Sequence, residues 1–548
     1  MKKVVALSLA LACVTLFFAP SRRVLSQSTK TNPLYVPGQL LIKLKAGVTD
    51  AGEVPGLAAR MQGDIEPLVK SEGGDLLLVN IEGESVEEAA ARFAQDARVE
   101  YAEPNYLWHE AAMPNDALFY QQWALMNNGS FLAGKPGADI GATAAWDITT
   151  GSDNLVVAII DAGVDLGHTD LAPNAWTNSR EVPNNGIDDD GNGYVDDLHG
   201  WNYVTKSPNV YDKASNDWHG THVAGAVGAA GNNQTGVSGV AWHVKLMALK
   251  FLGAQTGSTA DAVQAINYVI DQKRRGVNVR VINASWAGSS ESQSLKNAIS
   301  DAGNNGVLFV CAAGNGENGG DGSDLDVSPL YPAAWSADLP TMITVAAADN
   351  NDRFASFSCY SPTRAQVAAP GVNTMSTMPE GGYGFGAGTS MASPIVAGVA
   401  ALLFAHEPSL TAAQARNRIV KTADPQPTLV GRVSSSGRVS AYNALANSIP
   451  HAPSRPAIGS VWVTKKLAVV DGVGFGMGGA VIEVNGVALA KSRVNTDVML
   501  ADGSSAELLA KLGKPGINET FPSGVSVTVT VYNPATGERS EPYTYRRK

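Results

Sequence analysis

Three separated segments constrain this chain more than anything else in it, because each places a reactive side chain at the boundary of an element. Val156-Val157-Ala158-Ile159-Ile160 is an unbroken apolar run that closes on Asp161; His219-Gly220-Thr221-His222 opens a glycine-flanked helix on an imidazole; Gly388-Thr389-Ser390-Met391-Ala392-Ser393-Pro394 opens another on a hydroxyl. The apolar run predicts a strand, so its carboxylate stands at a strand end. A carboxylate, an imidazole and a hydroxyl in that chain order are the parts of a serine nucleophile and its base.

A serine hydroxyl is almost never ionised near neutral pH, so it attacks a carbonyl only while a neighbouring imidazole removes its proton. Ser390 is the candidate nucleophile and His219 the candidate base. Asp161 is the candidate orienter, accepting from the far ring nitrogen and steadying the imidazolium. Lipase-type hydrolases run Ser, Asp, His around a Gly-x-Ser-x-Gly elbow, and chymotrypsin-type enzymes run His, Asp, Ser. This chain has no such elbow and follows the third order. A tetrahedral intermediate also needs donors for its oxyanion. The run from Val307 to Ala313 delivers Asn315 just past a buried strand, and the backbone N–H of Ser390, opening a helix over 390–404, supplies the other donor. Pro394 falls in that helix's first turn, where a missing N–H costs little. Taken singly, an Asp after a strand or a Ser before a helix reads as a cap; the joint set reads as a reaction centre. His222, His168 and Asp170 read as structural.

These motifs resemble those of the subtilisin-family serine endopeptidases, the subtilases, over residues 114–447. The resemblance implies an α/β fold, a subtilisin-like doubly wound and mostly parallel sheet, that hydrolyses peptide bonds through an acyl-enzyme. Carried over position by position, Asp161, His219 and Ser390 form the triad and Asn315 the oxyanion residue. Ser285, Trp286 and Ala287 match the strand that pairs with substrate beside the P1 pocket, and Ala313 and Gly314 match the opposite wall. Gly257 matches the other edge and Leu330 the pocket floor. Three positions depart from the family pattern: Ala162 replaces a hydroxyl residue that helps hold the aspartate, Ala287 replaces a glycine, and Leu330 brings a branched side chain to the floor. The last two favour small or medium apolar P1 residues.

A second constellation runs from Asp188 to Asp197. Counting Asp188 as position one places Asp190 at three, Asn192 at five, Gly193 at six, the Tyr194 carbonyl at seven and Asp196 at nine, the oxygen spacing of a calcium loop. His199 falls at twelve, where a bidentate Glu is usual. Carboxylates this dense repel one another unless a cation neutralises them, so a structural Ca2+ is expected, as in acidic insertions of some subtilases. Magnesium, which prefers water and phosphate, fits less well.

Lys2 and Lys3 precede an apolar run over 4–18, which reads as a signal peptide, 1–26, and places the protein outside the cell or in the periplasm. No other segment is long and apolar enough to span a bilayer. A net charge of −11 argues against a nucleic-acid partner. Cys311 and Cys359 read as two separate thiols. Residues 27–112 carry strand patterns at 39–44, 76–81 and 99–103 and an amphipathic helix at 86–95. They resemble an α+β ferredoxin-like subtilase propeptide, an intramolecular inhibitor released by cleavage within 107–113. The catalytic domain is expected over 113–449. Residues 450–548 alternate strand-like runs with turns such as Asn485-Gly486, which suggests an all-β immunoglobulin-like sandwich of the IPT/TIG kind. The expected molecule is a monomeric, secreted endopeptidase made as a zymogen and acting on protein or peptide substrates. Two other readings are a maturation protease dedicated to one partner and an inactive adhesion protein on the same fold.

Overall fold

Alternation builds the first part of the chain. In the computed structural model, which describes residues 35–48, 65–71, 73–81, 83–106, 113–215, 217–253, 256–450, 456–476, 479–500 and 504–548, Leu40, Ile42 and Leu44 bury one face of strand β1 (Tyr35–Leu44). The signal segment and all but the last residue of the expected cleavage segment lie outside those residues. With β2 (Ile65–Val69), β3 (Leu76–Asn80) and β4 (Val99–Tyr106), β1 forms an antiparallel sheet in the order β2-β3-β1-β4. Helix α1 (Val86–Ala94) starts in a capping box, Ser85 and Glu88 each accepting the other's backbone N–H. It buries Val86, Ala89 and Phe93 with β1 and β3. β2 was not anticipated, since Pro67 interrupts its pattern, and Pro is confined to exposed edges of this kind. This unit, 1–108, is compact in itself; the second spans 109–548.

The second unit rests on strands apolar on both faces. In chain order it contains α2 (Ala142–Trp146), β5 (Gly151–Asp161), β6 (Gly200–Asn202), α3 (Trp218–Gly228), β7 (His243–Lys250), α4 (Thr259–Arg274), β8 (Val279–Ala284) and α5 (Gln293–Asn304). Then come β9 (Leu308–Ala312), β10 (Met342–Ala348), β11 (Val367–Pro370), the hairpin β12 (Thr374–Met378) and β13 (Gly382–Gly386), α6 (Thr389–His406), α7 (Ala412–Lys421), β14 (Asp424–Pro425), β15 (Gly437–Arg438) and α8 (Ala441–Ala446). The sheet order is β14-β15-β11-β10-β9-β8-β5-β7-β6, parallel throughout except for β14. Successive residues of a strand point to opposite faces. Accordingly Val157 and Ile159 pack with α3, α6 and α7, while Val156, Ala158 and Ile160 pack with α4 and α5. Covering both faces is why β5 reads as a continuous apolar run.

The chain enters the sheet at β5, crosses to the edge strand β6, fills the gap between them with β7, then passes β5 to lay down β8, β9, β10 and β11 on the other side. The switch point therefore lies at β5, and the crevice beyond the carboxyl ends of strands at such a point is where doubly wound sheets bind ligands. Asp161 is the last residue of β5. One correction concerns α6: contrary to the sequence reading, it is long and apolar enough to cross a membrane, with 18 residues at mean hydropathy 1.5. It is a core helix, 83% buried within the protein.

The last part of the unit holds two antiparallel sheets. One is ordered β16 (Ala457–Val463), β17 (Leu467–Val473), β21 (Glu507–Lys511), β20 (Ser492–Val494). The other is ordered β19 (Val487–Ala488), β18 (Val481–Val484), β22 (Ser526–Asn533), β23 (Glu538–Arg539), with β24 (Tyr543–Arg546) also on β22. Val470 and Leu508 of the first share one core with Ile482 and Val529 of the second. Among the described residues one helix, α9 (Gly513–Thr520), interrupts the strand pattern and adds Ile517 to that core.

Candidate active site

Two of the three expected element ends touch directly, the end of β5 and the start of α3. Asp161 is fully buried, and its Oδ1 accepts the N–H of Ala162 at 2.7 Å and His219 Nδ1 at 2.7 Å. His219 is the second residue of α3, its ring edge-on to Trp218. Burial alone pulls its pKa down, but the charge of Asp161 and the hydrogen bond to it outweigh that, so the imidazole titrates above its usual range. His222, one turn on, has no such partner: burial drives it down to about 4, and its Nε2 faces the Thr374 carbonyl at 3.1 Å. It is a neutral core residue.

Ser390 is the second residue of α6. Its Oγ donates to the Ser285 carbonyl at 3.1 Å, while Ser285 Oγ donates to the Ser390 carbonyl at 2.8 Å. Asn283 Nδ2 donates to Ser285 Oγ at 3.0 Å while Asn283 Oδ1 accepts Ser393 Oγ at 2.8 Å, so the Ser390 backbone is tied through Ser285 to the end of β8. In a resting site a serine commonly turns to such an acceptor and reaches the imidazole only with substrate bound.

Asn315 follows β9, with its Oδ1 accepting both the N–H (3.0 Å) and the Oγ1 (3.1 Å) of Thr389. The amide nitrogen is thereby turned the other way. A Cβ on Gly388, where φ is +147°, would lie 3.4 Å from Asn315 Nδ2 and 3.7 Å from Ser390 N. Two N–H donors thus border a space that the missing side chain leaves open, the geometry an oxyanion requires. Thr389, which fixes the Asn315 amide through these two bonds, was not singled out in the sequence, although it adjoins Ser390.

The structure brings most of the expected substrate residues together. A Cβ on Gly314 (φ +97°) would lie 2.5 Å from Leu330 Cδ1, 3.7 Å from Cys359 Sγ and 3.8 Å from Ala287 Cβ. Gly314, Leu330 and Ala287 therefore face one another, with Cys359 as an additional wall. Trp286 Nε1 donates to the Ile160 carbonyl at 2.9 Å, and its ring packs on Phe251, against which Gly257 also sits. Ala313 is wholly buried among core residues. Cys311 and Cys359 are free thiols. Burial pushes Cys311 up to about 12.

The acidic loop gathers differently from its spacing. Carboxylate oxygens of Glu181, Asp188 and Asp190 lie within 4.8 Å of one another. Asp196 instead accepts the N–H groups of Asn185 and Gly186, both at 3.0 Å. Asn192 uses Nδ2 on Asp197 (2.8 Å) and Oδ1 on the Tyr194 N–H (2.7 Å). The Tyr194 ring packs against Trp201, Tyr203 and Tyr268, anchoring the loop to the core. Glu181, seven residues before Asp188, was outside the spacing considered. His199, the twelfth position, is turned to the Trp176 carbonyl at 2.7 Å.

Residues 152–452 match the model of the subtilase family, peptidase S8. The chain belongs to the subtilase family. It is a subtilisin-like serine endopeptidase, and its residues 23–105 match the fervidolysin N-terminal prodomain. A thermophilic serine proteinase of Bacillus sp. (strain AK1) is 33% identical over 421 residues, which cover 75% of this subtilase and 88% of the relative. An extracellular protease of Xanthomonas campestris pv. campestris is 33% identical over 375 residues, covering 65% of this subtilase and 61% of the relative. A solved protease structure from Pseudoalteromonas arctica is 30% identical and is covered in full by 62% of this chain, with a TM-score of 0.48. Within the subtilase, every hydrogen bond described for Asp161, His219, Ser390 and Asn315 is made to a residue between 161 and 389.

Proposed function

We propose that Ser390 is the nucleophile of this protease, with His219 its general base and Asp161 the carboxylate that orients the imidazole. In this reading Ser390 Oγ turns from the Ser285 carbonyl to His219 Nε2 as a peptide carbonyl arrives. Its proton passes to Nε2 while the new O–C bond forms. The oxyanion then lies between Asn315 Nδ2 and the Ser390 N–H, and His219 returns the proton to the leaving amine. Water repeats the cycle on the acyl-enzyme. The observation that carries this reading is the 2.7 Å contact of a fully buried Asp161 with His219 Nδ1, which leaves Nε2 as the free face of the ring. The Gly314, Leu330 and Ala287 cluster supports a preference for small or medium apolar P1 residues.

We assign residues 1–26 to a secretion signal, 27–112 to an inhibitory propeptide, 113–449 to the catalytic domain and 450–548 to the β-sandwich. The relative named an extracellular protease supports export. The acidic loop suits a hard divalent cation: Glu181, Asp188 and Asp190 offer carboxylate oxygens in one place, and hard cations of the calcium type take oxygen ligands. Calcium there would be held by these three, with Asn192, Asp196 and the Tyr194 carbonyl the remaining candidates from the loop. It would brace the loop and supply nothing to the reaction.

The test is to express residues 27–548 beside a Ser390→Ala variant, following intact mass and casein hydrolysis. The reading expects the wild type to lose a fragment ending within 107–113 and to cut casein, while the variant stays full-length and inert. Casein hydrolysis by the variant would overturn it. A folded wild type inert on casein would favour the single-partner reading.

A further inference from the structure

Lys250 ends β7 directly opposite Asp161 in the parallel register with β5. Lysine is almost never fully buried unless paired. This side chain is 1% exposed, and so is that of its partner Asp217, at 2.6 Å. The ammonium has three donors, and all three are engaged: with the Ala162 carbonyl, with Asp217 Oδ1, and with the Leu252 carbonyl at 3.1 Å.

Each acceptor lies one step from Asp161 or His219. Ala162 donates its N–H to the same Asp161 oxygen that takes His219 Nδ1. Leu252 and Phe251 donate their N–H groups to the Asp161 carbonyl, at 3.3 and 3.0 Å. The peptide plane before Ala162 is thus held through its carbonyl by Phe251 and Leu252, and the plane after it by Lys250. The third acceptor, Asp217, immediately precedes α3 and stands two residues before His219. Its other carboxylate oxygen accepts the Asp212 N–H at 2.8 Å, and its backbone carbonyl accepts Thr221 Oγ1 at 3.0 Å. Gly163 permits the approach, since a Cβ there (φ +141°) would lie 2.3 Å from Asp217 Oδ2.

Position 162 explains why such a clamp is needed. Alanine offers no hydroxyl, and Asp161 Oδ2 is buried with no hydrogen-bond partner. The carboxylate is therefore oriented by one backbone N–H and by the imidazole it is meant to orient. A buried ion pair is in itself a weak source of stability, because desolvating two charges cancels most of their attraction. Its value here is geometric.

We propose that Lys250, through Asp217 and the Ala162 carbonyl, is a positioning residue that sets the end of β5 against the start of α3 and so fixes the Asp161–His219 contact. The role rests on the triad assignment above. It would act on the rate of acylation rather than on substrate affinity.

The test compares mature wild type, Lys250→Met, the double variant Lys250→Met/Asp217→Leu, and Arg438→Met as control. Variants are processed by trace wild-type enzyme where self-cleavage is slow. Arg438 makes another buried ion pair of the same domain, with Asp352 and Asp424. On a soluble peptide, well below every melting temperature, Lys250→Met is expected to lower kcat about 100-fold with KM within about twofold, the scale of a misplaced reacting group. The double variant leaves no unpaired buried carboxylate and decides the matter if the single one does not fold; it is expected to show the same loss. In a Ser390→Ala background, the far-downfield proton resonance of His219 Nδ1–H held against a carboxylate should vanish with Lys250→Met. If the Lys250 variants behave like Arg438→Met, with lower melting temperature, kcat within threefold of wild type and the proton resonance retained, the proposal is overturned. Failure of the triad reading shows separately, as peptide hydrolysis by Ser390→Ala, and removes the positioning role with it.

Discussion

In its proposed role as base His219 works only while neutral, and two opposed effects decide when that is. Burial favours the neutral ring, Asp161 favours the charged one, and Asp161 prevails. The acid limb of kcat/KM is therefore expected above the ordinary imidazole value of about 6.5. Asp161→Asn leaves burial unopposed, so the limb should move to lower pH while kcat falls on the order of 10⁴-fold, the usual cost of an amide at this position in a triad. An unmoved limb in the pH profile of that variant would show that another group titrates. Leu330 makes a prediction of a different kind. Its Cδ1 occupies the space before Gly314, so Leu330→Gly should raise kcat/KM for phenylalanine over alanine at P1 by roughly 10- to 200-fold, the worth of a methylene or two in a pocket. A peptide series varied only at P1 measures it, and an unchanged ratio would mean that Leu330 does not close the pocket. The places of Asp161, His219 and Ser390 in the fold were legible because each ends or opens an element whose own pattern is strong. Thr389 and Lys250 were not, because what they do depends on partners 74 and 88 residues away.

At the scale of elements, the strands around the crevice were readable for the same reason that they are buried: helices on both faces demand unbroken apolar runs, and Val156 to Ile160 supplies one. Elements whose sequences are ambiguous were not readable. The exposed strand β2 carries Pro67, and α9 sits in a stretch of glycine, proline and strand-like residues, held by Ile517 and the neighbouring Phe521. The acidic loop was half readable. Oxygen spacing pointed to Asp188 and Asp190, whereas Glu181 reaches them only through the loop's return path. In the inactive Ser390→Ala protein, which separates melting from autolysis, a chelator is expected to lower the melting temperature and calcium to restore it. Mass action gives about 2.7 kcal/mol at a hundredfold excess over Kd. Glu181→Gln should weaken calcium affinity as much as Asp190→Asn does. If the chelator leaves the melting temperature unchanged, the loop is a solvated surface; if only Glu181→Gln is silent, the cation sits elsewhere on the loop.

For the whole molecule, the question is what the sandwich contributes to the proposed catalytic centre, whose described hydrogen bonds reach no residue beyond Ser390. The seam between them has two characters. Val430 of the catalytic part packs with Val473, Leu500 and Ala506 of the sandwich, and a Cβ on Gly459 would overlap the Pro427 backbone, so the two surfaces meet closely there. Beside this contact lies a cavity of about 1060 Å³, with Arg353 and Arg432 on the catalytic side and Asp471, Asp497 and Glu507 on the other. Arg432 stacks on the Tyr360 ring at 4.3 Å, and Tyr360 adjoins Cys359, the thiol beside Leu330 in the proposed P1 cluster. Removing 450–548 would expose Val430 and leave the two arginines facing water. Exposing one buried aliphatic side chain costs about 1.5–3 kcal/mol, so a chain ending at residue 449 is expected to melt several degrees below the full-length enzyme. It should retain kcat/KM within about twofold on a peptide with alanine at P1, because the hydrogen bonds described for Asp161, His219, Ser390 and Asn315 all lie outside 450–548. Thermal melts in the Ser390→Ala background and initial rates of both mature forms would measure the two effects. A truncated enzyme with unchanged melting temperature would make the sandwich an independent appendage. One whose P1 preference shifts would mean that the seam, through Tyr360 and Cys359, is felt in the pocket.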